Sequence, residues 1–303
     1  MNDIQEIMVS THGAELMSIV ANGREYLWQG DPAYWSRRAP ILFPVVGKVA
    51  YDTLRINGNC YHMPQHGFAR DAEFTPHHVK TSLLGGDIQI TSAEGPLCYS
   101  LVQDGSFANY PYNFELKVSY SIFGNELSCG WEVKNLGAND MHFQIGAHPA
   151  FLLPGYDMND HVHGYIQCYD EYGNTVNPVV KNSLNNGLRI PCIAHGVILD
   201  GKNFLALTDS TFDFGAIIIE DEQIASMALF DKNGRPLLTV FCPQAEAFGI
   251  WAPNKPGCPF VCIEPWCGIA DRVDFNGDIS ERDCTHSLET GRSYLFSYSI
   301  QIH

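Results

Sequence analysis

Two short segments of the chain place a histidine beside residues that restrict the backbone. The first, Gln65–Arg70 (QHGFAR), has His66 before a glycine. The second, Gly146–Phe151 (GAHPAF), has His148 before a proline. A third segment, Cys262–Trp266 (CIEPW), ends an apolar run with a single carboxylate. Glycine and proline favour turn geometries that aim the neighbouring side chain. Two imidazoles and one carboxylate are suited to general acid–base chemistry near neutral pH.

The composition limits the partners that the chain can bind. Of its 303 residues, 45% are hydrophobic and 17% charged, so a sizeable buried core is expected. The 34 acidic and 18 basic residues give a formal charge of −16. This charge repels nucleic acids and anionic membranes, so neither is an expected partner. It also disfavours a highly anionic substrate unless a local cluster of arginines overrides it.

Signals for export and for metal binding are weak. Met1–Gly13 is mixed and polar, and no stretch approaches the roughly 18 to 20 apolar residues of a membrane span. We therefore expect a cytoplasmic protein whose ten cysteines are mostly reduced thiols. Metal-type spacing is limited to Cys258 and Cys262, which lack a matching pair, and to His161 and His163, which lack a third ligand. We expect no metal and no cofactor.

Most of the chain alternates large apolar and polar residues, a period of two that is typical of β-strands. Phe114–Ile122 and Leu127–Val133 alternate in this way around Gly124 and Asn125, which predicts an antiparallel hairpin. Tyr294–Ile302 repeats the pattern. Further short strands are expected at Asp87–Ile90, Ile217–Ile219, Leu237–Phe241 and Phe260–Ile263.

Helical periodicity is scarce. The clearest candidate helix is Ser10–Val20, and Gly13 argues against it. No linker rich in serine or proline divides the chain, and it has neither a run of like charge nor an internal repeat. We therefore predict a single domain over residues 1–303, an all-β fold built as a large antiparallel β-sandwich.

The motifs carry a family resemblance. The two histidine motifs and the Glu-Pro-Trp tripeptide are specific in combination, although each is weak alone. Other matching segments are Gly13–Ile19, Glu25–Pro32, Tyr34–Trp35, Pro40–Pro44 and Ile250–Arg272. Through these residues the chain resembles the aldose 1-epimerase (galactose mutarotase) superfamily, and most closely its LacX-like branch. The resemblance implies a twisted β-sandwich of the galactose mutarotase-like supersandwich type, whose open face binds a sugar and interconverts α and β anomers without a cofactor.

The resemblance also implies a role for each of the three residues. Opening a pyranose removes a proton from the C1 hydroxyl and delivers one to the ring oxygen, so one base and one acid suffice. By similarity, Glu264 is the base at the C1 hydroxyl and His148 is the acid that protonates the ring oxygen. His66 hydrogen-bonds that oxygen or a neighbouring hydroxyl. The apolar neighbours of Glu264 are expected to raise its pKa towards the working range.

Two further residues are expected to contact the sugar directly. Arg70 follows His66 by four residues, close enough to reach a substrate hydroxyl or to support the carboxylate. Trp251 offers a flat face to the apolar side of a sugar ring, with buried packing as the alternative.

Two other expected sugar contacts depart from the family pattern. Many members carry Gly-Arg-x-x-Asn-Arg ahead of the first histidine, where this chain has Gly47–Asp52 (GKVAYD). Lys48 stands in place of the arginine and cannot make its planar bidentate contacts. On a later strand, this chain has Gly215 at the position where the family pattern has an acidic residue. Asp213, two residues earlier and on the same face of a strand, is the expected substitute.

Three functions remain open at this point. The first is an aldose 1-epimerase for a free hexose or a related sugar. The second is a hexose-6-phosphate 1-epimerase, which the net charge opposes. Its support is a set of basic residues: Arg37, Arg38, Lys48, Arg70 and Arg272. The third is a non-catalytic carbohydrate-binding or sensing protein of the same fold. In each case the expected partner is a small-molecule sugar, and the expected assembly is a monomer or weak homodimer.

Overall fold

The computed structural model describes residues 3–77, 83–84, 87–91, 95–103, 107–197 and 203–303. Three short 3₁₀ turns, Ala50–Asp52, Ala69–Asp71 and Ile279–Glu281, are the helical elements of these residues. The strands in chain order are β1 (Ile4–Ser10), β2 (Leu16–Ala21), β3 (Arg24–Glu25), β4 (Ile41–Leu42), β5 (Thr53–Ile56), β6 (Asn59–His62), β7 (Thr75–His77), β8 (Leu83–Leu84), β9 (Asp87–Thr91), β10 (Leu97–Val102), β11 (Phe114–Phe123), β12 (Glu126–Asn135), β13 (Met141–Phe143), β14 (Ile145–Ala147), β15 (Ala150–Leu152), β16 (Gly164–Tyr169), β17 (Thr175–Val176), β18 (Val179–Asn185), β19 (Leu188–Gly196), β20 (Leu205–Leu207), β21 (Ile217–Ile219), β22 (Ser226–Asp231), β23 (Pro236–Phe241), β24 (Ala247–Trp251), β25 (Phe260–Cys267), β26 (His286–Leu288) and β27 (Ser293–Ile302).

The largest sheet runs in the order β17-β16-β22-β23-β27-β12-β11-β10-β7, with β20 also paired to β16. The predicted hairpin is confirmed, since β11 and β12 pair antiparallel along their whole length. Side chains of β12 alternate strictly between buried and half-buried, so one face of this sheet lies on the core. The predicted all-β, antiparallel architecture is therefore confirmed, as are the short strands now numbered β9, β21, β23 and β25.

A second sheet, in the order β21-β24-β25-β14-β4 with β15 also paired to β25, carries two of the three motifs, those of His148 and Glu264. Every residue of β25 is buried. Val261 and Ile263 pack in the main core, whereas Cys262 and Trp266 belong to smaller clusters on the opposite face. Because strand side chains alternate, Glu264 lies on that opposite face, between Cys262 and Trp266.

The candidate helix at Ser10–Val20 is not formed. The segment is divided between β1 and β2, which pair with each other in a third sheet of order β3-β2-β1-β9-β8. Gly13 at φ +70° and Ala14 at φ +45° make the turn between them. A Cβ on Gly13 would lie 2.7 Å from the Arg70 carbonyl oxygen, so the glycine permits a close approach of two backbones. No helix in the described ranges is both long enough and apolar enough to cross a membrane.

Candidate active site

The strand register brings His148 and Glu264 together. β14 and β15 pair with successive parts of β25 in one continuous register. His148 lies in the break between β14 and β15, where Pro149 offers no N–H to the ladder, and this register places it opposite Glu264. His148 Nε2 is 3.1 Å from Glu264 Oε2, outside hydrogen-bonding geometry. Both side chains are more than nine-tenths buried.

On the other side of Glu264, β24 leaves room for a large ring. Gly249 is the residue that pairs with Glu264. A Cβ on Gly249 would lie 2.6 Å from Cζ2 of Trp266, and a Cβ on Gly146 would lie 2.7 Å from its Cδ1. The Trp266 indole is therefore held flat between two glycines, and it forms one wall beside the carboxylate.

His66 reaches the same place from a turn attached to the end of β4. Its backbone has φ +66°, and Gly67 follows at φ +72°. The His66 carbonyl accepts from the Phe43 N–H at 3.2 Å, and the Phe43 carbonyl accepts from the Phe68 N–H at 3.0 Å. This turn sets the His66 ring 5.5 Å from the His148 ring, nearly perpendicular to it. The sequence motif thus needs its glycine for the turn that aims the histidine.

We expect Gly67→Ala to lower the free energy of unfolding by roughly 2 to 4 kcal/mol. The new Cβ would adopt a positive φ and would lie 2.1 Å from the Phe43 carbonyl oxygen. Gly58→Ala is the matched control, since Gly58 has φ +78° but nothing within 4 Å of the added Cβ. Gly58→Ala should lower the free energy of unfolding by only about 1 kcal/mol. Urea denaturation of both variants measures the difference, and equal losses would contradict the close approach.

Hydrogen bonds fix the tautomer of His66. The backbone N–H of Gly47 donates to His66 Nδ1 at 3.1 Å, and the backbone N–H of His66 donates to the Gly47 carbonyl at 2.9 Å. Burial holds the pKa of His66 well below 6.5, helped by His148 and Arg70. The ring is therefore neutral near pH 7, and because Nδ1 accepts, Nε2 carries the proton. His66 Nε2–H is thus a donor at the cleft; the Gln65 side-chain nitrogen 3.2 Å away is itself a donor and cannot accept from it, which leaves this proton to a ligand acceptor.

Burial shifts the pKa values of the His148–Glu264 pair in opposite directions. It lowers the pKa of His148 from 6.5 to about 3, and Arg70 adds to the effect. It raises the pKa of the Glu264 carboxyl well above 4.5, and Trp266 partly opposes this. Both shifts favour the uncharged form. The neutral pair, with a proton on Glu264 and a vacant basic nitrogen on His148, is therefore favoured over an ion pair.

These groups open into a cleft of about 420 Å³, within the usual size of a small-molecule site. The cleft is lined by Trp35, Gly47, Gln65, His66, Arg70, His148, Leu184, Asn186, Gly187, Phe214, Gly215, Ala216, Ile218, Trp251, Glu264, Trp266 and Ala270. Among these described residues Glu264 is the one carboxylate and Arg70 the one permanent cation. Aromatic rings surround the imidazole of His148, since Trp35 stacks on it at 4.9 Å and Trp251 meets it edge-on at 5.7 Å.

The cleft contains two of the four expected sugar contacts, Arg70 and Trp251. Arg70 Nη2 donates to the Gln65 carbonyl at 2.7 Å, which turns the guanidinium towards the histidine motif. Its buried Nε has no hydrogen-bond partner in the described part of the chain.

Lys48 and Asp213 do not line the cleft. The aliphatic stem of Lys48 packs under Gly187, at the turn of the β18–β19 hairpin, and its Nζ lies 4.0 Å from Asp52. The carboxylate of Asp213 accepts from the Asn254 amide at 3.2 Å instead of facing the sugar cleft. Asp213 therefore does not face the sugar cleft as expected. That expectation requires a strand over residues 212–215, and these residues form a turn.

Several lining residues were not predicted from the sequence. Trp35 lies in a matching segment and Gln65 in the first histidine motif, but the sequence indicates no role in sugar binding for either residue. Phe214, next to Asp213, is 90% exposed at the rim of the cleft. Such exposure is unusual for a phenylalanine and offers a free ring face to a ligand. The β18–β19 hairpin contributes Asn186, and no local signal connects that hairpin to the site.

One further side chain lies beside the acid–base pair. Cys262, two residues before Glu264 on β25, points to the same face of the strand. One ligand atom from each of His148, Cys262 and Glu264 lies within 4.8 Å of the others. His161 and His163, whose spacing alone fits a metal site, belong to no such group among the described residues. The chain thus has a candidate set of metal ligands that sequence spacing did not reveal.

Comparison with known proteins agrees with this geometry. The family model described as aldose 1-epimerase matches residues 2–301. The chromosomal LacX protein of Lactococcus lactis is 29% identical over 299 residues, covering 92% of this chain and 90% of its own. A galactose mutarotase related enzyme from Lactobacillus acidophilus superposes with a TM-score of 0.85 at 29% identity, covering 100% of this chain and 96% of its own. A galactose mutarotase-like protein from Lactobacillus casei gives a TM-score of 0.86 at 26% identity, covering 100% and 98%.

Proposed function

Since the chain belongs to the aldose 1-epimerase family, in its LacX-like branch, we propose that it interconverts the α and β anomers of a hexose or a related sugar by acid–base ring opening. The single observation that carries this proposal is the buried His148–Glu264 pair at 3.1 Å on the floor of an open cleft. Ring opening needs one group that gives a proton and one that takes a proton, and the pair supplies both.

In the proposed reaction sugar binding first brings the 3.1 Å His148–Glu264 contact into hydrogen-bonding alignment, and the proton then moves from Glu264 to His148. The C1 hydroxyl of the bound sugar donates a hydrogen bond to the carboxylate and so favours its charged form. Glu264 then removes the C1 hydroxyl proton while His148 protonates the ring oxygen. The bond from C1 to the ring oxygen breaks and C1 becomes a carbonyl. Closure on the other carbonyl face reverses both transfers.

The remaining groups position the sugar and stabilise developing charge. His66 Nε2–H donates to the ring oxygen or to a neighbouring hydroxyl, because its tautomer is fixed by Gly47. Arg70 binds a hydroxyl near the histidine motif. Trp251 and the exposed Phe214 offer ring faces to the apolar side of the sugar.

Polarimetry of a freshly dissolved α-aldose, with and without protein, tests the proposal, and no acceleration across a broad panel of sugars would favour a binding or sensing protein.

The pH profile of kcat/KM should have no inflection near 6.5. Activity requires one proton on the pair, and a second proton adds only as the pH falls towards the pKa of His148, about 3. On the alkaline side, activity falls only above the raised pKa of Glu264, where the pair loses its proton. We therefore expect no acid limb near pH 6.5, and less than about a twofold loss of activity as the pH is lowered from about 7 to about 5. A base with an ordinary imidazole pKa would lose about 25-fold over that range. Initial rates at low sugar concentration, corrected for the uncatalysed rate, measure the profile.

A hexose 6-phosphate is the second candidate substrate, and one observation favours it. Arg70 lines the cleft, and its Nε donates no hydrogen bond, although Asp71 Oδ2 lies 3.7 Å away; burial and nearby Arg37 lower the pKa of Arg70 to about 10. A phosphate could satisfy that donor and relieve the repulsion between the two guanidinium groups. Saturating glucose 6-phosphate should then raise the thermal midpoint more than glucose does. An unmoved midpoint, together with rapid anomer exchange of free hexoses, would exclude this candidate.

A further inference from the structure

We propose that His148, Cys262 and Glu264 bind a zinc-type divalent cation in the sugar cleft, and that the bound metal inhibits the protein. The third ligand distinguishes this site from the acid–base pair alone. Cys262 has no part in the proposed proton transfers, yet β25 places it on the same buried face as Glu264. Ligand atoms of all three residues lie within 4.8 Å of one another.

The ligand distances need only a small adjustment. Zinc bonds to nitrogen, oxygen and sulfur measure about 2.0 to 2.3 Å, so tetrahedral ligand atoms lie roughly 3.3 to 3.7 Å apart. His148 Nε2 and Glu264 Oε2, at 3.1 Å, are already close to that spacing. The Cys262 sulfur has to approach by roughly 1.5 Å at most. Three protein ligands with a fourth position open to a cleft are typical of accessible zinc sites.

The chemistry of the donor set selects the ion. Thiolate, imidazole and carboxylate together suit Zn²⁺, Co²⁺ and Cd²⁺, whereas Mg²⁺ prefers an all-oxygen shell. Zn²⁺ displaces the protons of the Cys262 thiol and the Glu264 carboxyl to solvent, and the ion with the resulting thiolate and carboxylate has no net charge, which reduces the cost of placing it in a buried site. Buried Glu264 Oε2 has no hydrogen-bond partner in the described ranges, so it is available as a ligand.

Metal binding and sugar turnover exclude each other in this arrangement. A metal on Glu264 and His148 occupies the carboxylate oxygen and the nitrogen that the proton transfers require. The inhibition therefore rests on the proposed function, whereas the binding does not. Zinc should slow anomer exchange, and a chelator should restore it.

Titration with ZnCl₂ and CoCl₂, followed by calorimetry and absorption, tests the site. We expect one metal ion per chain and, with Co²⁺, a thiolate-to-cobalt charge-transfer band in the near ultraviolet. Cys262→Ser should weaken binding at least roughly tenfold and abolish the band. Mg²⁺ should not bind. Cys267→Ser is the matched control, because Cys267 lies on the same strand facing the main core, where a serine hydroxyl can keep the hydrogen bond to the Gln244 carbonyl at 3.1 Å.

Each outcome decides between the possibilities. Unchanged binding and an unchanged cobalt band in Cys262→Ser would overturn the proposal and would assign the metal to other residues, such as the exposed Cys60 or Cys284. If Cys262→Ser does not fold, Cys262→Ala replaces it, and absence of the band in the unmodified protein overturns the proposal by itself. Binding that depends on Cys262 in a protein without anomer exchange would retain the metal site and reject the proposed function.

Discussion

Glu264→Gln should lower kcat for anomer exchange by about 10²- to 10⁴-fold, the usual contribution of a positioned acid–base group. The amide has the shape of the carboxylic acid but can neither give nor take the proton. Because burial already favours the uncharged form of Glu264, the variant should fold as the unmodified protein does. Polarimetry of a freshly dissolved aldose measures the rate, and urea denaturation checks that the stability is unchanged.

Asp213→Asn is the control for this variant. Asp213 is a carboxylate of the expected sugar site, but its side chain accepts from Asn254 and does not line the cleft. The rate of anomer exchange by Asp213→Asn should stay within about twofold of that of the unmodified protein, as expected of a surface position. A Glu264→Gln protein that folds normally and keeps its full rate would rule out Glu264 as the base.

His148→Gln should give a loss of similar size, about 10²- to 10⁴-fold in kcat. Glutamine cannot protonate the ring oxygen, and it cannot take the proton that Glu264 must release before it acts as a base. The Trp35 and Trp251 rings, which contact the imidazole and each other, keep an apolar wall beside the new side chain. Sugar binding should therefore persist, and calorimetric titration with a slowly reacting sugar analogue measures it alongside the rate.

The double variant separates a shared proton from two independent contributions. If one proton passes between Glu264 and His148, removing both groups should cost about as much as removing either one alone. Independent roles would instead multiply the two losses. A double variant that is slower than either single variant by a further 10²-fold or more would contradict the shared-proton mechanism, whatever the single variants show.

Much of the fold could be predicted from the sequence because its signals are local. The alternation in Phe114–Ile122 and Leu127–Val133, with Gly124 and Asn125 between them, specifies a hairpin without knowledge of the rest of the chain. The error at Ser10–Val20 had a local cause too. Its apolar residues fit a helical spacing, and they fit two strands equally well once a turn with positive φ divides them.

The site could be predicted only in part, because its geometry depends on pairing between distant segments. The resemblance identified His148 and Glu264, but only the register of β14 and β15 on β25 places them 3.1 Å apart. The same register brings Cys262 to that face, which no spacing rule indicated. The structure places Lys48 outside the cleft, because the β18–β19 hairpin, which is remote in sequence, covers its side chain.

Exchange NMR of equilibrated aldoses tests the central claim most directly, because it observes interconversion of the α and β anomers without a coupled reaction. The panel would contain free hexoses, pentoses and hexose 6-phosphates, each measured with the protein, with Glu264→Gln and without protein. The proposed mechanism predicts faster exchange for at least one sugar, lost in Glu264→Gln. Exchange at the uncatalysed rate for every sugar, from a protein shown to be folded, would contradict it.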